Sequence, residues 1–239
     1  MIPKARAKIR RMAQLVLLPG LDGTGRLFSP LLAELPRDLH TKTVSYPNDK
    51  ALSLDEHARW VIHQLPTDKA VLLAESFSGL VALRVLMEAS SRIAAVIFVG
   101  AFAEPPRPLL LRLAPLVSRA GPLMRNAPAF LLRQFCLGKD ATVAQLNQLR
   151  EALATVPPHA LSQRLALVGA RQAFGKAKFA VPCLYIQASD DRLVPAAATD
   201  WFRSRFERFE LERVDGPHFL LQARPRECAR RIVEFSRLR

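Results

Sequence analysis

The sequence is poor in the residues and patterns that mark disulfide-rich, zinc-binding, fibrous or membrane-spanning proteins. Its three cysteines, Cys136, Cys183 and Cys228, are widely spaced and form no C-x-x-C pair, which fits buried thiols in a reducing compartment. Ten glycines without a repeat exclude a collagen-like chain. No apolar run approaches the roughly 20 residues that cross a bilayer. The 239 residues are therefore expected to fold around a substantial core.

Acidic residues are also scarce relative to basic ones. The chain has 35 Lys and Arg against 21 Asp and Glu, a formal net charge of +14 at pH 7. Residues 1–12 hold five basic residues and no acidic one, and residues 104–178 hold eleven basic residues and three acidic ones. The positive electrostatic field of such a chain favours an acidic partner, namely nucleic acid, anionic lipid or an acidic carrier protein. An arginine-rich composition without a special partner explains the charge equally well.

The first residues share only part of the pattern of a signal peptide. Basic residues precede the apolar run LVLL at 15–18, but this run is shorter than the roughly 7–15 residues of a signal-peptide core, and no small-residue cleavage site follows it. We interpret residues 1–12 as a solvated basic tail, and we expect a cytoplasmic protein without a transmembrane segment.

Apolar runs typical of strands alternate with helical patterns along most of the chain. The segment at 53–65 predicts a helix that begins after a Ser53 cap, with Glu56 at the capping-box position. Near-continuous Val, Ile and Leu runs between helices predict an α/β fold whose parallel sheet is covered on both faces. The predicted strands are 14–18, 41–46, 70–75, 93–100, 181–189 and 209–214.

The alternation stops in the middle of the chain. From residue 104 to 177 the sequence is apolar, basic and punctuated by proline, with helical patterns and no evident strand. We therefore expect an α/β core formed by residues 13–103 and 178–239, interrupted by a helical insertion at 104–177.

The segment VLLAESFSGL, residues 71–80, carries two candidate serines at a predicted turn from strand to helix. Such a turn exposes a nucleophilic hydroxyl, but it brings strand and helix so close that the residues two before and two after must be small. Centring the turn on Ser76 puts Ala74 and Ser78 at these positions, whereas centring it on Ser78 would put Leu80 there. The spacing favours Ser76. Because Ala and Ser replace the glycines of the usual G-x-S-x-G signature, a helix-capping serine is the alternative.

Two later loops offer an acid and a base for this serine. ASDDRLVP at 188–195 and DGPHFLLQARP at 215–225 each follow a predicted strand. A serine nucleophile needs a histidine base, which in turn needs an acid that fixes its tautomer. Of the five histidines, only His218 lies in a loop between the last predicted strand and the last predicted helix. His218 is therefore the candidate base.

Four segments in this order resemble the α/β-hydrolase superfamily over nearly the whole chain. Within the superfamily, the chain looks most similar to bacterial carboxylesterases that include the pimeloyl-carrier-protein methyl esterases of biotin synthesis. The order Ser, Asp, His is the order of that superfamily. The segments are LLPGLDGTG at 17–25, AESFSG at 74–79, DRLVP at 191–195 and GPHF at 216–219.

The resemblance assigns roles to single residues. It implies that Asp191 is the acid, with Asp190 as a neighbour, and that His218 activates Ser76. It implies an oxyanion hole formed by the backbone amides of Leu21 and Phe77. It implies neither a metal nor an organic cofactor.

The turn after the first strand departs from the family pattern. Pro19 stands where the family usually has a histidine, and Asp22 lies close to the expected oxyanion. We expect the Asp22 side chain to turn away and bond the backbone of residues 23–25. A phosphate-binding glycine loop is a poor alternative, because neither G-K-[ST] nor G-x-G-x-x-G is present.

The resemblance also implies an α/β-hydrolase fold with a helical lid, inserted after the sixth strand in the family's count, at residues 104–177. Its apolar residues would line an acyl channel or simply form the core of the lid. Carrier-protein esterases of the family dock an acidic carrier on a basic lid, although a solvated face is the simpler explanation for any single arginine. The candidate carrier-binding residues are Arg112, Arg119, Arg125 and Arg133.

The leading functional hypothesis is a carboxylic-ester hydrolase that acts on acyl chains, including the methyl ester of pimeloyl-acyl-carrier protein. A thioesterase or acyltransferase using the same three residues is the first alternative. A non-catalytic binding protein with this fold is the second, and the intact Ser, Asp and His argue against it. Specific nucleic-acid binding is not expected, because no recognition motif or basic patch with interleaved aromatics is present.

Overall fold

The computed structural model describes residues 13–106 and 127–237. Within these residues, six parallel strands form one sheet in the order β2-β1-β3-β4-β5-β6. The prediction of an α/β fold with a parallel sheet is confirmed. The strands are β1 Leu15–Leu18, β2 Thr41–Thr43, β3 Ala70–Glu75, β4 Ile93–Val99, β5 Cys183–Ala188 and β6 Phe209–Val214.

Helices cover both faces of the sheet, which explains why the central strands are apolar throughout. Successive residues of β1 alternate between two cores: Val16 and Leu18 face one, Leu15 and Leu17 the other. The outer strands differ. Strand β2 is three residues long, shorter than predicted, and β6 is half-exposed over most of its length.

The helices of the α/β core pack in two groups against these faces. Helices α2, α3 and α7 bury their apolar residues in the core that contains Val16, and α1 and α9 bury theirs in the core that contains Leu15. The predicted capping box at Ser53 and Glu56 is confirmed. These helices are α1 Ser29–Glu34, α2 Leu54–Gln64, α3 Ser78–Ala89, α7 Ala198–Arg205, α8 Leu220–Ala223 and α9 Pro225–Arg237.

The predicted insertion at residues 104–177, called the inserted segment below, lies in the sequence between β4 and β5. Its described residues form α4 Ala129–Leu132, which continues into a π-helical turn at Arg133–Leu137, then α5 Val143–Ala154 and α6 Pro158–Gly169. As predicted, no strand occurs among them. A small core joins α4 and α5 to Leu27 of the α/β core.

Several predicted features lie outside the described residues. These are the basic tail at 1–12 and the three candidate carrier-binding residues Arg112, Arg119 and Arg125. In the part of the chain that the structure covers, none of the helices is long and apolar enough to cross a membrane.

Candidate active site

Ser76 lies on a sharp turn between β3 and α3. Its φ angle is 50°, and it is the only non-glycine residue with a positive φ in the described chain. Its amide donates to the carbonyl oxygen of Val99 on the neighbouring strand, at 2.9 Å. A left-handed conformation costs about 1–3 kcal/mol for such a residue, so the surrounding structure must hold it in place. The turn leaves the Ser76 side chain partly exposed at the end of the strand.

The packing around this turn is close on the side away from solvent. Ala74 and Ser78 are both fully buried. A Cβ atom added to Gly79 would lie 2.6 Å from the Cβ of Ala101, so helix α3 approaches the segment after β4 too closely for a larger residue.

The second serine has a different environment. The Ser78 hydroxyl donates to the Pro19 carbonyl oxygen and accepts from the Tyr46 hydroxyl, which lies 2.6 Å away. Burial raises the pKa of Tyr46 well above its ordinary value, so this phenol keeps its proton and acts as the donor. Ser78 thus ties the start of α3 to the turn after β1.

The structure brings Ser76, His218 and Asp191 into one hydrogen-bonded chain. The His218 Nε2 atom is 2.9 Å from the Ser76 Oγ atom, and the His218 Nδ1 atom is 2.7 Å from the Asp191 Oδ2 atom. His218 and the Asp191 side chain are both nearly buried. With Nδ1–H donating to the carboxylate, Nε2 is free to accept the serine proton.

Asp191 is fixed by the loop that follows β5. Its Oδ1 atom accepts hydrogen bonds from the amides of Leu193 and Val194 at 2.9 and 2.8 Å, which leaves Oδ2 for the histidine. Asp190, its neighbour, points outward and pairs with Arg192 at 3.3 Å. Of the two adjacent carboxylates, only Asp191 contacts His218.

Leu21, on the turn after β1, and Phe77, on the turn between β3 and α3, line the same cavity as Ser76. Neither amide donates to a backbone oxygen of the described residues. Asp22 also lines the cavity, and its carboxylate accepts hydrogen bonds from the amide and hydroxyl of Thr24, the expected backbone partner. The two amides are therefore free to bind an oxyanion that forms at a substrate carbonyl next to Ser76.

A cavity of about 230 Å³ opens beside Ser76 and His218. Its wall is almost wholly apolar, and no lysine or arginine lines it in the described parts of the chain. Burial raises the pKa of the Cys136 thiol in this wall to about 12, so the residue stays neutral. The inserted segment contributes Leu132, Cys136, Leu149, Leu153, Leu165 and Val168 to the wall.

Arg133, the one candidate carrier-binding residue that the structure describes, does not extend freely into solvent. Its guanidinium donates to the Ala141 carbonyl oxygen at 3.2 and 3.3 Å.

Among the described residues, no group of three His, Cys, Asp or Glu side chains could hold a metal ion.

Two charged residues at the site were missed by the sequence analysis. Glu75, directly before Ser76, is buried, and this burial is the main reason why its pKa rises to about 7. Its carboxylate accepts from the Gln222 amide at 3.0 Å. Arg164 of α6 is also buried and bonds to the turn after β1. A charge inside an apolar strand pattern is the signal that could have revealed Glu75; Arg164 has no comparable signal in its basic surroundings.

Comparisons with known proteins concern the chain as a whole. The model of the Alpha/beta hydrolase family matches residues 15–231. The chain is 27% identical over 248 residues to the pimeloyl-[acyl-carrier protein] methyl ester esterase of Aromatoleum aromaticum, a match that covers 93% of this chain and 98% of that protein. The hydrolase family and the esterase relative support the interpretation that this chain is a hydrolase.

Solved structures with the same fold include an esterase from Exiguobacterium antarcticum, with a TM-score of 0.82 at 16% identity over 94% of this chain and 92% of that one. The enol-lactonase of Burkholderia xenovorans LB400 has a TM-score of 0.76 at 16% identity, over 94% of this chain and 91% of that one. At this level of identity, these likenesses concern the fold alone.

Proposed function

Because this chain belongs to the alpha/beta hydrolase family, we propose that it is a serine hydrolase that cleaves carboxylic esters of acyl chains. The observation that carries the proposal is the hydrogen-bonded chain from Ser76 through His218 to Asp191, which ends at an apolar cavity. A base in contact with a hydroxyl on a strained turn is the arrangement that activates serine as a nucleophile.

In the proposed reaction, the Ser76 hydroxyl attacks the ester carbonyl while His218 Nε2 takes its proton. The amides of Leu21 and Phe77 stabilise the negative charge on the carbonyl oxygen. His218 then gives the proton to the leaving alcohol as the C–O bond breaks, which leaves an acyl-Ser76 ester. Water, deprotonated by His218, attacks this ester, and the carboxylic acid and the free serine are released. Asp191 stabilises the imidazolium in both steps.

The cavity supports an uncharged acyl chain as the part of the substrate that is buried. An apolar wall stabilises methylene groups at about 0.8 kcal/mol each, whereas a charged group there would need a partner. Its described wall offers no lysine or arginine to an anionic substrate group. We further propose that the inserted segment acts as a lid, because it supplies a large part of this wall.

The finer proposal is that the acyl chain is held by an acyl carrier protein, as in a pimeloyl-carrier methyl ester. The name of the Aromatoleum aromaticum relative and the net charge of +14 support it, because carrier proteins of this kind are acidic. A thioesterase or acyltransferase would use the same acyl-serine intermediate. A thioester and a methyl ester of one acyl chain, offered separately, distinguish an esterase from a thioesterase by which bond is broken. With an acceptor alcohol added, an acyltransferase forms a new ester in place of the free acid.

The first test is hydrolysis of p-nitrophenyl esters of increasing chain length. We expect activity in the wild type and a loss of about 10⁴–10⁶-fold in Ser76→Ala. Ser78→Ala is the matched control, since it removes a hydroxyl that points away from His218. Activity that survives in Ser76→Ala but disappears in Ser78→Ala would show that Ser78 is the nucleophile. A wild type without activity on any ester would contradict the proposal.

The proposal of a carrier-bound substrate is tested by measuring how the rate of hydrolysis depends on salt concentration. Hydrolysis of a carrier-linked methyl ester should fall steeply as NaCl rises to 0.5 M, whereas hydrolysis of a small neutral ester should change little, because salt screens attraction between charged surfaces. Equal responses of the two substrates would count against an electrostatic carrier contact.

A further inference from the structure

Arg164 is an unusual residue for the inserted segment, because its charge is buried. It lies on α6 and is 1% exposed. Burying an arginine costs several kcal/mol unless its donors are satisfied, since the guanidinium keeps its charge. No salt bridge to a carboxylate is formed by Arg164 in the described chain, so its partners are neutral oxygens together with an aromatic ring.

The guanidinium binds two separate segments of the α/β core. Nη1 donates to the carbonyl oxygens of Leu21 and Asp22 at 3.3 and 2.8 Å. Nη2 donates to the Pro47 carbonyl at 3.3 Å and to the Asn48 side chain at 2.7 Å. Arginine suits this role because its planar fork holds several acceptors in fixed directions.

The guanidinium of Arg164 also packs beside an aromatic ring, and it has room only because residue 23 is a glycine. Its central carbon is 5.7 Å from the ring centre of Tyr46. A Cβ atom added to Gly23 would lie 2.4 Å from Nη1, so the missing side chain at Gly23 makes room for the guanidinium.

These contacts bear directly on the Leu21 amide. The Gly20 carbonyl accepts from the Gly23 amide at 3.1 Å, and it shares a rigid peptide plane with the Leu21 N–H. Arg164 holds the next two peptides of the same turn through their carbonyl oxygens. With the peptides on both sides of Leu21 anchored, the direction of its N–H is fixed.

We infer that Arg164 is a positioning residue that holds the turn Gly20–Gly23 so that the Leu21 amide points at the oxyanion formed next to Ser76. The inference rests on the proposed esterase function. It also makes the inserted segment part of the oxyanion hole, because α6 must be in place for the fork to reach the turn.

The test compares Arg164→Met and Arg164→Lys with the wild type. A misdirected amide loses part of the roughly 10²–10³-fold that one oxyanion donor contributes, so we expect kcat to fall about 10- to 100-fold in both variants. KM for a p-nitrophenyl ester should change by less than about threefold, since the ground-state carbonyl gains little from this amide. Arg150→Met is the control, because Arg150 lies on α5 and donates to Ala127, away from the cavity.

A second measurement separates positioning from general loosening of the fold. A trifluoromethyl ketone, which adds to a nucleophilic serine as an oxyanion, should lose affinity by the same factor as kcat/KM. Asn48→Leu, which removes a side-chain acceptor of the guanidinium and leaves the turn Gly20–Gly23 unchanged, should reproduce part of both losses and serves if the Arg164 variants do not fold. An active wild type with unchanged kcat and inhibitor affinity in the folded variants would overturn this inference alone. An inactive wild type would overturn the proposed function and, with it, the inference.

Discussion

The buried carboxyl of Glu75 makes the stability of the protein depend on pH in an unusual direction. Glu75 is buried at the end of β3, and its pKa rises from 4.5 to about 7, chiefly because burial disfavours the charged form. The folded state thus binds this proton more tightly than the unfolded state. The contribution of Glu75 to the free energy of unfolding is therefore highest below pH 4.5. It falls between pH 4.5 and 7 and stays low above pH 7.

The size of the effect follows from the shift. A difference of about 2.5 pKa units at 1.36 kcal/mol per unit corresponds to about 3 kcal/mol of stability lost above pH 7. Glu75→Gln removes the titration and keeps an oxygen for the Gln222 amide. On going from pH 4 to pH 8, the variant should therefore gain about 3 kcal/mol relative to the wild type.

Urea unfolding at pH 4, 5, 6, 7 and 8 measures this difference directly. The comparison must be between the two proteins, because burial lowers the pKa of His57 to about 4 and so gives the wild type an opposing slope. Glu88→Gln, at an exposed glutamate, controls for the substitution itself. A variant whose gain over the wild type is the same at pH 4 and pH 8 would refute the assignment of a raised pKa to Glu75.

Two further predictions concern the proposed active site. Asp191→Asn should lower kcat for p-nitrophenyl ester hydrolysis by about 10³–10⁴-fold, because it favours the wrong histidine tautomer. The kcat of Asp190→Asn should stay within about threefold of the wild type. Equal losses in the two variants would show that the acid is misassigned. Cys136→Trp should fill part of the cavity and lower the ratio of kcat/KM for octanoyl over acetyl esters at least about tenfold, with Cys136→Ser as the control; an unchanged ratio would place the acyl chain elsewhere.

The strands and the candidate nucleophile could be predicted because their signals are local. Continuous apolar runs specify strands that are covered on both faces, and the buried strand from Ala70 to Glu75 was predicted with its observed bounds. The choice of Ser76 over Ser78 followed from the sizes of residues two positions away. Such rules need only the neighbouring sequence.

The contacts that hold the site together are not local, and the sequence did not reveal them. The Ser78 hydroxyl meets Pro19, 59 residues earlier, and Arg164 meets Asp22 across 142 residues. In the sequence, Arg164 is one of eleven basic residues in the region from 104 to 178, where a solvated position is the ordinary expectation. Its burial depends on where α6 packs, which the helical pattern alone does not specify.

The outermost strands of the sheet are poorly suited to pair with a strand of another molecule. Strand edges have unpaired backbone groups that can recruit an identical strand from another molecule. Within the described residues, β2 is only Thr41–Thr43, too short to pair extensively, and β6 carries Glu210, Glu212 and Arg213. A second copy of β6 aligned in parallel and in register would put like charges side by side. The apolar strands that build the core thus lie between two borders that are unsuited to fibril growth.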